Sequence, residues 1–312
     1  MGAEGPRAVA LARPIEAGVA ARGSSEPRRR RLPLAWIGTL PFFAYTIAFL
    51  ILPSAALLIE AFKNGKGQWT LHNLGTILHQ HQFLNAYQTS IDLSLVTAAV
   101  GGLLGFLLAY AAAHPGTPRS IRSALTTFSG VAANFGGIPL AFAFIATLGT
   151  IGIVTRFLNN YLGLDIYAHG FTLFSFTGVA IAYVYFQIPV MVLVIAPAID
   201  GLRQEWREAA TNLGASATQY WRLVGIPILL PSLLGAFILL FGNSFAAYAT
   251  AYALTSSAVN LVPIQIGAVV NGNVLSDPQL GYALAFGMIV VIAVAMTLYA
   301  LAQKRAARWR RS

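Results

Sequence analysis

Between Asp200 and Pro227 the chain sets a polar island between two long apolar stretches. The island reads Glu208-Ala209-Ala210, then Gly214, then Val224-Gly225-Ile226-Pro227. Asp200 can cap a helix N-terminus, because a carboxylate accepts from backbone N–H groups left without partners in a first turn. From Leu202 the apolar residues Leu202, Trp206, Ala209, Ala210 and Leu213 follow helical spacing, which leaves Arg203, Arg207 and Asn212 on the other face. Gly214 falls where a left-handed residue closes a helix. Ser216-Ala217-Thr218-Gln219 then has the Ser-x-x-Gln form of a capping box. A second short helix follows, with Ala217, Tyr220, Leu223 and Val224 on one stripe. Pro227 is expected to end it, and Pro231 suits the first turn of the next apolar segment. A solvated amphipathic loop would show some of these features. Their coincidence points to a surface on which another protein docks.

The remaining residues that could do chemistry are sparse. Four neutral polar residues, Asn134, Gln187, Asn243 and Ser244, fall near the centres of apolar runs. They offer donors and acceptors along a path for cargo, or serve as hydrogen-bonding glue between helices. A phosphate-binding loop needs Gly-x-x-x-x-Gly-Lys-[Ser/Thr]. The only Gly-Lys pair, Gly65-Lys66, has Glu60 where the first glycine should stand. His72, His79 and His81 cluster without a supporting acid, and the chain has no cysteine, so they read as surface histidines and no metal site is expected. No nucleophile stands with a base inside an apolar run, so no enzymatic activity, and no cofactor in this chain, is expected.

The elements that must position these residues follow from composition. Of 312 residues, 57% are hydrophobic and only 10% charged, against roughly 25% charged in soluble domains; mean hydropathy is +0.67. Lipid is the main solvent. Six apolar runs reach the roughly 20 residues a helix needs to cross a bilayer: 35–60, 91–113, 125–148, 176–198, 231–254 and 280–302. They lack period-2 alternation, so helices satisfy the backbone in lipid. The predicted fold is an all-α integral membrane protein of six spans.

Charge sets the orientation. With both termini inside, seventeen of the twenty Lys and Arg residues face the cytoplasm, and only Lys63, Lys66 and Arg156 lie outside. The net charge of +10 is thus a topology signal and a contact for anionic lipid, not a nucleic-acid surface. Residues 1–32 read as a disordered basic tail, 33–305 as the membrane domain with its polar loop at 199–228, and 306–312 as a basic C-terminus. Its ten acids lie in tails, loops or span ends, so no proton or sodium relay is visible. An ion-coupled secondary transporter, the alternative, would show embedded charges or inverted repeats.

The island resembles the signature of the permease subunits of binding-protein-dependent ABC importers: Glu-Ala-Ala, three residues, Gly, nine residues, then Ile-x-Leu-Pro. Val224 and Ile226 are apolar departures from it. Leu107-Leu108-Ala109-Tyr110-Ala111, before a basic loop, is similar to the corresponding family segment. The resemblance covers about residues 35–305. It implies a type I permease like those of the methionine and maltose systems, in the bacterial inner membrane, with a cytoplasmic coupling helix between spans four and five. Glu208, Ala209, Ala210, Gly214 and Pro227, flanked by Arg207 and Arg222, would then form the surface for a cytoplasmic ABC ATPase dimer. The implied partners are a second permease, related or identical, and an extracytoplasmic solute-binding protein. Polyamine, iron or phosphonate permeases are the nearest in character.

Overall fold

The computed structural model describes residues 35–308 except 115, 169 and 272–276, with backbone alone at 35–37 and 305–308. The tail expected at 1–32, and residues 309–312 of the basic C-terminus, lie outside the described residues. The chain divides at Ile51 into two units. In the first, α1 (Ala35–Thr46) runs into a π-helical turn at Ile47–Ile51, and the Thr46 hydroxyl donates to the Phe42 carbonyl at 2.8 Å.

The second unit holds α2 (Leu52–Glu60), α3 (His72–His79), α4 (His81–Ala113), α5 (Arg119–Ala132), α6 (Gly137–Leu148), α7 (Ile153–Leu162) and α8 (Phe176–Asp200). The polar island follows as α9 (Gln204–Asn212), α10 (Ala217–Tyr220) and a π-helical turn at Trp221–Gly225. Then come α11 (Ile226–Phe245), α12 (Ala249–Thr255), α13 (Val262–Asn271) and α14 (Pro278–Arg308). Six segments are long and apolar enough to cross a membrane: Gly38–Glu60, His81–Ala113, Gly137–Leu162, Phe176–Asp200, Ala217–Phe245 and Pro278–Lys304.

Three expected spans are corrected. The second begins ten residues early, at His81; about 20 residues counted back from Ala113 suffice to cross the bilayer, so Asp92 stays at its outer edge. The run read as 125–148 is broken: α5 stops at Ala132 and α6 starts at Gly137. There Gly137 adopts φ +70°, and its N–H donates to Thr250 Oγ1 at 2.8 Å. The fifth span starts at Ala217 and ends at Phe245 instead of covering 231–254. Pro227 does not terminate a helix, because the π turn before it widens the backbone where a proline ring would meet the carbonyl four residues back. Ile226 N–H bonds the Trp221 carbonyl, five residues back. At the far end α11 gives way to a turn at Ala246–Tyr248, where the Ala247 carbonyl accepts from the Tyr183 hydroxyl at 2.6 Å. The two breaks are neighbours, since α6 packs along α12.

The core lies where α4, α8 and α11 meet. Gly101 and Gly105 let α4 approach α8 closely: a Cβ on Gly101 would fall 2.4 Å from Gln187 Cβ, and one on Gly105 would fall 2.6 Å from the Ile188 carbonyl oxygen. Met191, Ile195, Leu229, Leu240 and Phe245 fill the rest of the interface and are buried.

Candidate functional site

The island forms a helix, a turn and a helix, with two changes from the reading above. Asp200 closes α8 and pairs with Arg122, so it does not cap α9; Arg203 stands at that N-cap with no side-chain bond. Helix α9 therefore begins at Gln204. Its end is a Schellman turn: Gly214 N–H donates to the Thr211 carbonyl and Ala215 N–H to the Ala210 carbonyl, both at 2.9 Å. Gly214 takes φ +77°, a conformation a Cβ would strain. The capping box forms as the sequence specifies: Ser216 Oγ accepts from Gln219 N–H at 3.3 Å, and Gln219 Oε1 accepts from Ser216 N–H at 2.7 Å. The turn between the two short helices is thereby fixed by local chemistry.

The outer face of this loop is open. Leu213 is 87% exposed and Leu223 71% exposed, so apolar side chains point away from the membrane helices with nothing to cover them in the single chain. Glu208 is exposed, and its Oε1 accepts from Gln204 Nε2 at 2.8 Å. Arg203 Cζ sits 5.9 Å from the Trp206 ring centroid. The second short helix is tied to the membrane domain instead: Tyr220 is buried, and Trp221 meets Tyr110 of α4 edge-to-face at 4.9 Å. Gly225 gives room for the indole, since a Cβ there would lie 2.6 Å from it. Between α9 and the inner ends of α4 and α8 lies a cavity of about 480 Å³, into which Arg203, Arg207 and Glu208 project.

The four mid-span residues separate into two pairs. Gln187 is fully buried and donates through Nε2 to the Leu240 carbonyl at 2.8 Å. Ser244 is buried, with its hydroxyl 2.9 Å from that of Thr97. Both cross-link α11 to a neighbouring helix. Asn134 and Asn243 are exposed. Asn134 is not at a span centre: it lies in the break between α5 and α6, where its amide donates to the Gly130 carbonyl at 2.9 Å. Asn243 stands within one turn of the end of α11, beside Gly242, whose Cβ position meets nothing within 4 Å.

Residues 169–308, which hold the whole island and the last three spans, match the family model of the binding-protein-dependent transport system inner membrane component. Over those residues the chain resembles the inner-membrane permeases of this family. It is 26% identical over 222 residues to the sulfate transport system permease protein CysT of Salmonella typhimurium, covering 70% of this chain and 74% of the relative. It is also 26% identical over 216 residues to the molybdenum transport system permease protein ModB of Mycobacterium tuberculosis, covering 66% and 76%. The fold is similar to that of a bacterial alginate ABC transporter crystallised with an alginate pentasaccharide-bound periplasmic protein. The TM-score is 0.69 at 18% identity, over 87% of this chain and 94% of that one.

The permease is a multi-pass protein of the bacterial inner membrane. Sequence reasoning missed the contacts that tie its island to its spans. The Arg122–Asp200 pair joins α5 to the end of α8, and Tyr110 with Trp221 joins α4 to the π turn. The signals were present: an acid ending one apolar run, a basic residue opening another, and two aromatics at the inner border.

Proposed function

We propose that this permease forms one half of a pore that moves a tetrahedral oxyanion of the sulfate or molybdate class into the cell. An extracytoplasmic solute-binding protein would deliver the cargo. A cytoplasmic ABC ATPase dimer would drive it through α9. The observation that carries the coupling role is the capped, exposed helix–turn–helix with Glu208-Ala209-Ala210 on its first helix and Leu213 uncovered at its end. Glu208, Arg207 and Arg222 are the charged residues assigned to that surface, and Gly214 and Pro227 set its shape.

The cargo assignment replaces the polyamine, iron or phosphonate expected from sequence. Its support is that the relatives described above are sulfate and molybdenum permeases. A physical argument agrees: a polycation would need carboxylates along its path, and the closest, Glu60 and Asp92, stand at the outer ends of spans. Amide donors such as those of Asn134 and Asn243 suit an oxyanion without holding it too tightly to release. Gln187 and Ser244 serve as glue in this reading, because Gln187 Nε2 and the Ser244 hydroxyl each bond a neighbouring helix. The open face at Gly242, Asn243 and Ala246 is where a second, related permease would complete the path.

Reconstitution with the co-purifying ATPase and binding protein in proteoliposomes tests both parts. Labelled sulfate or molybdate should accumulate only with ATP, and Glu208→Lys should abolish accumulation while the chain still inserts in the membrane. Accumulation of spermidine in place of either oxyanion would refute the cargo. Undiminished uptake by the Glu208→Lys protein would refute the coupling role.

A further inference from the structure

Helix α9 has no extended packing against α4 or α8; the cavity of about 480 Å³ stands between them. Its chemistry is net basic. Arg203 and Arg207, one helical turn apart, line it together with His114 at the end of α4. Neither arginine forms an ion pair among the described residues, because Asp200 is taken by Arg122. Glu208 also lines the cavity and offsets one of these charges; its Oε1 accepts from Gln204, and the lining stays net basic. The N-terminus of α9 opens here with no side-chain cap, adding unpartnered backbone donors that favour an anion. The other wall is aromatic, from Tyr110, Tyr220 and Trp221.

The volume is in the range of sites that hold a sizeable organic molecule, roughly 300–1,000 Å³, and is too large for a bare inorganic ion to fill. The position is the cytoplasmic border of the bilayer, where amphipathic aromatics sit at headgroup depth and basic pockets between spans meet anionic lipid. We propose that the cavity between α9 and the inner ends of α4 and α8 holds the phosphate headgroup of an anionic phospholipid, gripped by Arg203 and Arg207. The headgroup fills the gap under α9 and seats that helix against the spans. This rests on the proposed function in that α9 faces the cytoplasm and Arg207 is shared with the surface assigned to the ATPase, so lipid retention is read on the permease without its ATPase.

The test is lipid retention by the full-length permease in detergent, read by native mass spectrometry after exchange against equimolar phosphatidylglycerol and phosphatidylcholine. The wild type should retain phosphatidylglycerol with a preference on the order of tenfold. The Arg203→Gln/Arg207→Gln variant should lose that preference, and Arg203→Lys/Arg207→Lys should keep most of it. Arg203→Gln alone, expected to lose part of it, replaces the double variant if that protein is not monodisperse. Equal retention of both lipids by the wild type, or an unchanged preference in the glutamine variants, would overturn the proposal. So would inorganic phosphate displacing phosphatidylglycerol at millimolar concentration, since that would mark a soluble oxyanion site. ATPase co-purification, measured on the same variants, reports separately on docking.

Discussion

Adding one methyl group at Gly101 should loosen the centre of the protein, whereas adding it at Gly102 should not. A Cβ on Gly101 would lie 2.4 Å from Gln187 Cβ, and carbon atoms in contact prefer about 3.5–4.0 Å. Helices α4 and α8 would have to part by about 1 Å or more at that level. Overpacking of this kind costs about 1–3 kcal/mol. The same movement pulls Gln187 Nε2 from the Leu240 carbonyl, now at 2.8 Å. Gln187 Oε1 already lacks a partner among the described residues, so the amide would be left bare, at a further cost of about 1–3 kcal/mol. Against this, Ala gains up to about 1 kcal/mol over Gly in a helix. The net expectation for Gly101→Ala is a loss of about 3 kcal/mol. At Gly102 a Cβ would meet only Leu240 Cδ2, at 3.8 Å, which is ordinary contact. Gly102→Ala should be neutral or slightly stabilising. Equilibrium unfolding of the two variants in mixed detergent micelles measures both. Equal stabilities, or a more stable Gly101→Ala protein, would refute the reasoning.

Three further outcomes follow from the island and the helix breaks. Gly214→Ala places a Cβ at φ +77°, costing about 1–2 kcal/mol locally; limited proteolysis should then cut the 213–217 segment sooner than in the wild type. Ser216→Ala removes one half of the capping box and should cost about 1 kcal/mol, visible as faster amide exchange at Gln219. Asn243→Leu should cut cargo flux in proteoliposomes with the assembled complex intact, whereas loss of assembly would show that Asn243 packs against a neighbouring helix.

What could be read from the chain was what depends on neighbours in sequence. Gly214, Ser216 and Gln219 were legible because each acts within a turn of itself. The six apolar segments were legible because bilayer thickness sets their length. The breaks were not. Gly136-Gly137 in an apolar run looks like a tolerated small pair, and the bond that holds the break comes from Thr250, more than a hundred residues away. Pro227 was misread for a related reason: a proline stops a regular α-helix, but the π turn at Trp221–Gly225 removes the clash. That turn has its place because Trp221 packs on Tyr110 of α4 and over Gly225. The pairing of Asp200 with Arg122 in place of a cap is likewise tertiary. A carboxylate at the end of one helix and the start of the next can serve either, and only the approach of α5 decides.

Continuity from Ala217 to Phe245, 29 residues without a loop, makes this segment about 43 Å long. One end is capped by the island and the other carries Asn243. A push at Ser216 would therefore travel along one helical segment, without crossing a loop. The rod has one soft place, near its inner end, where the π turn and the missing donors of Pro227 and Pro231 thin its hydrogen bonding. A joint there, and not midway, turns a small displacement of the short arm into a larger sweep of the long one. The tip of that long arm leads into the turn at Ala246–Tyr248, beyond which α12 packs along α6.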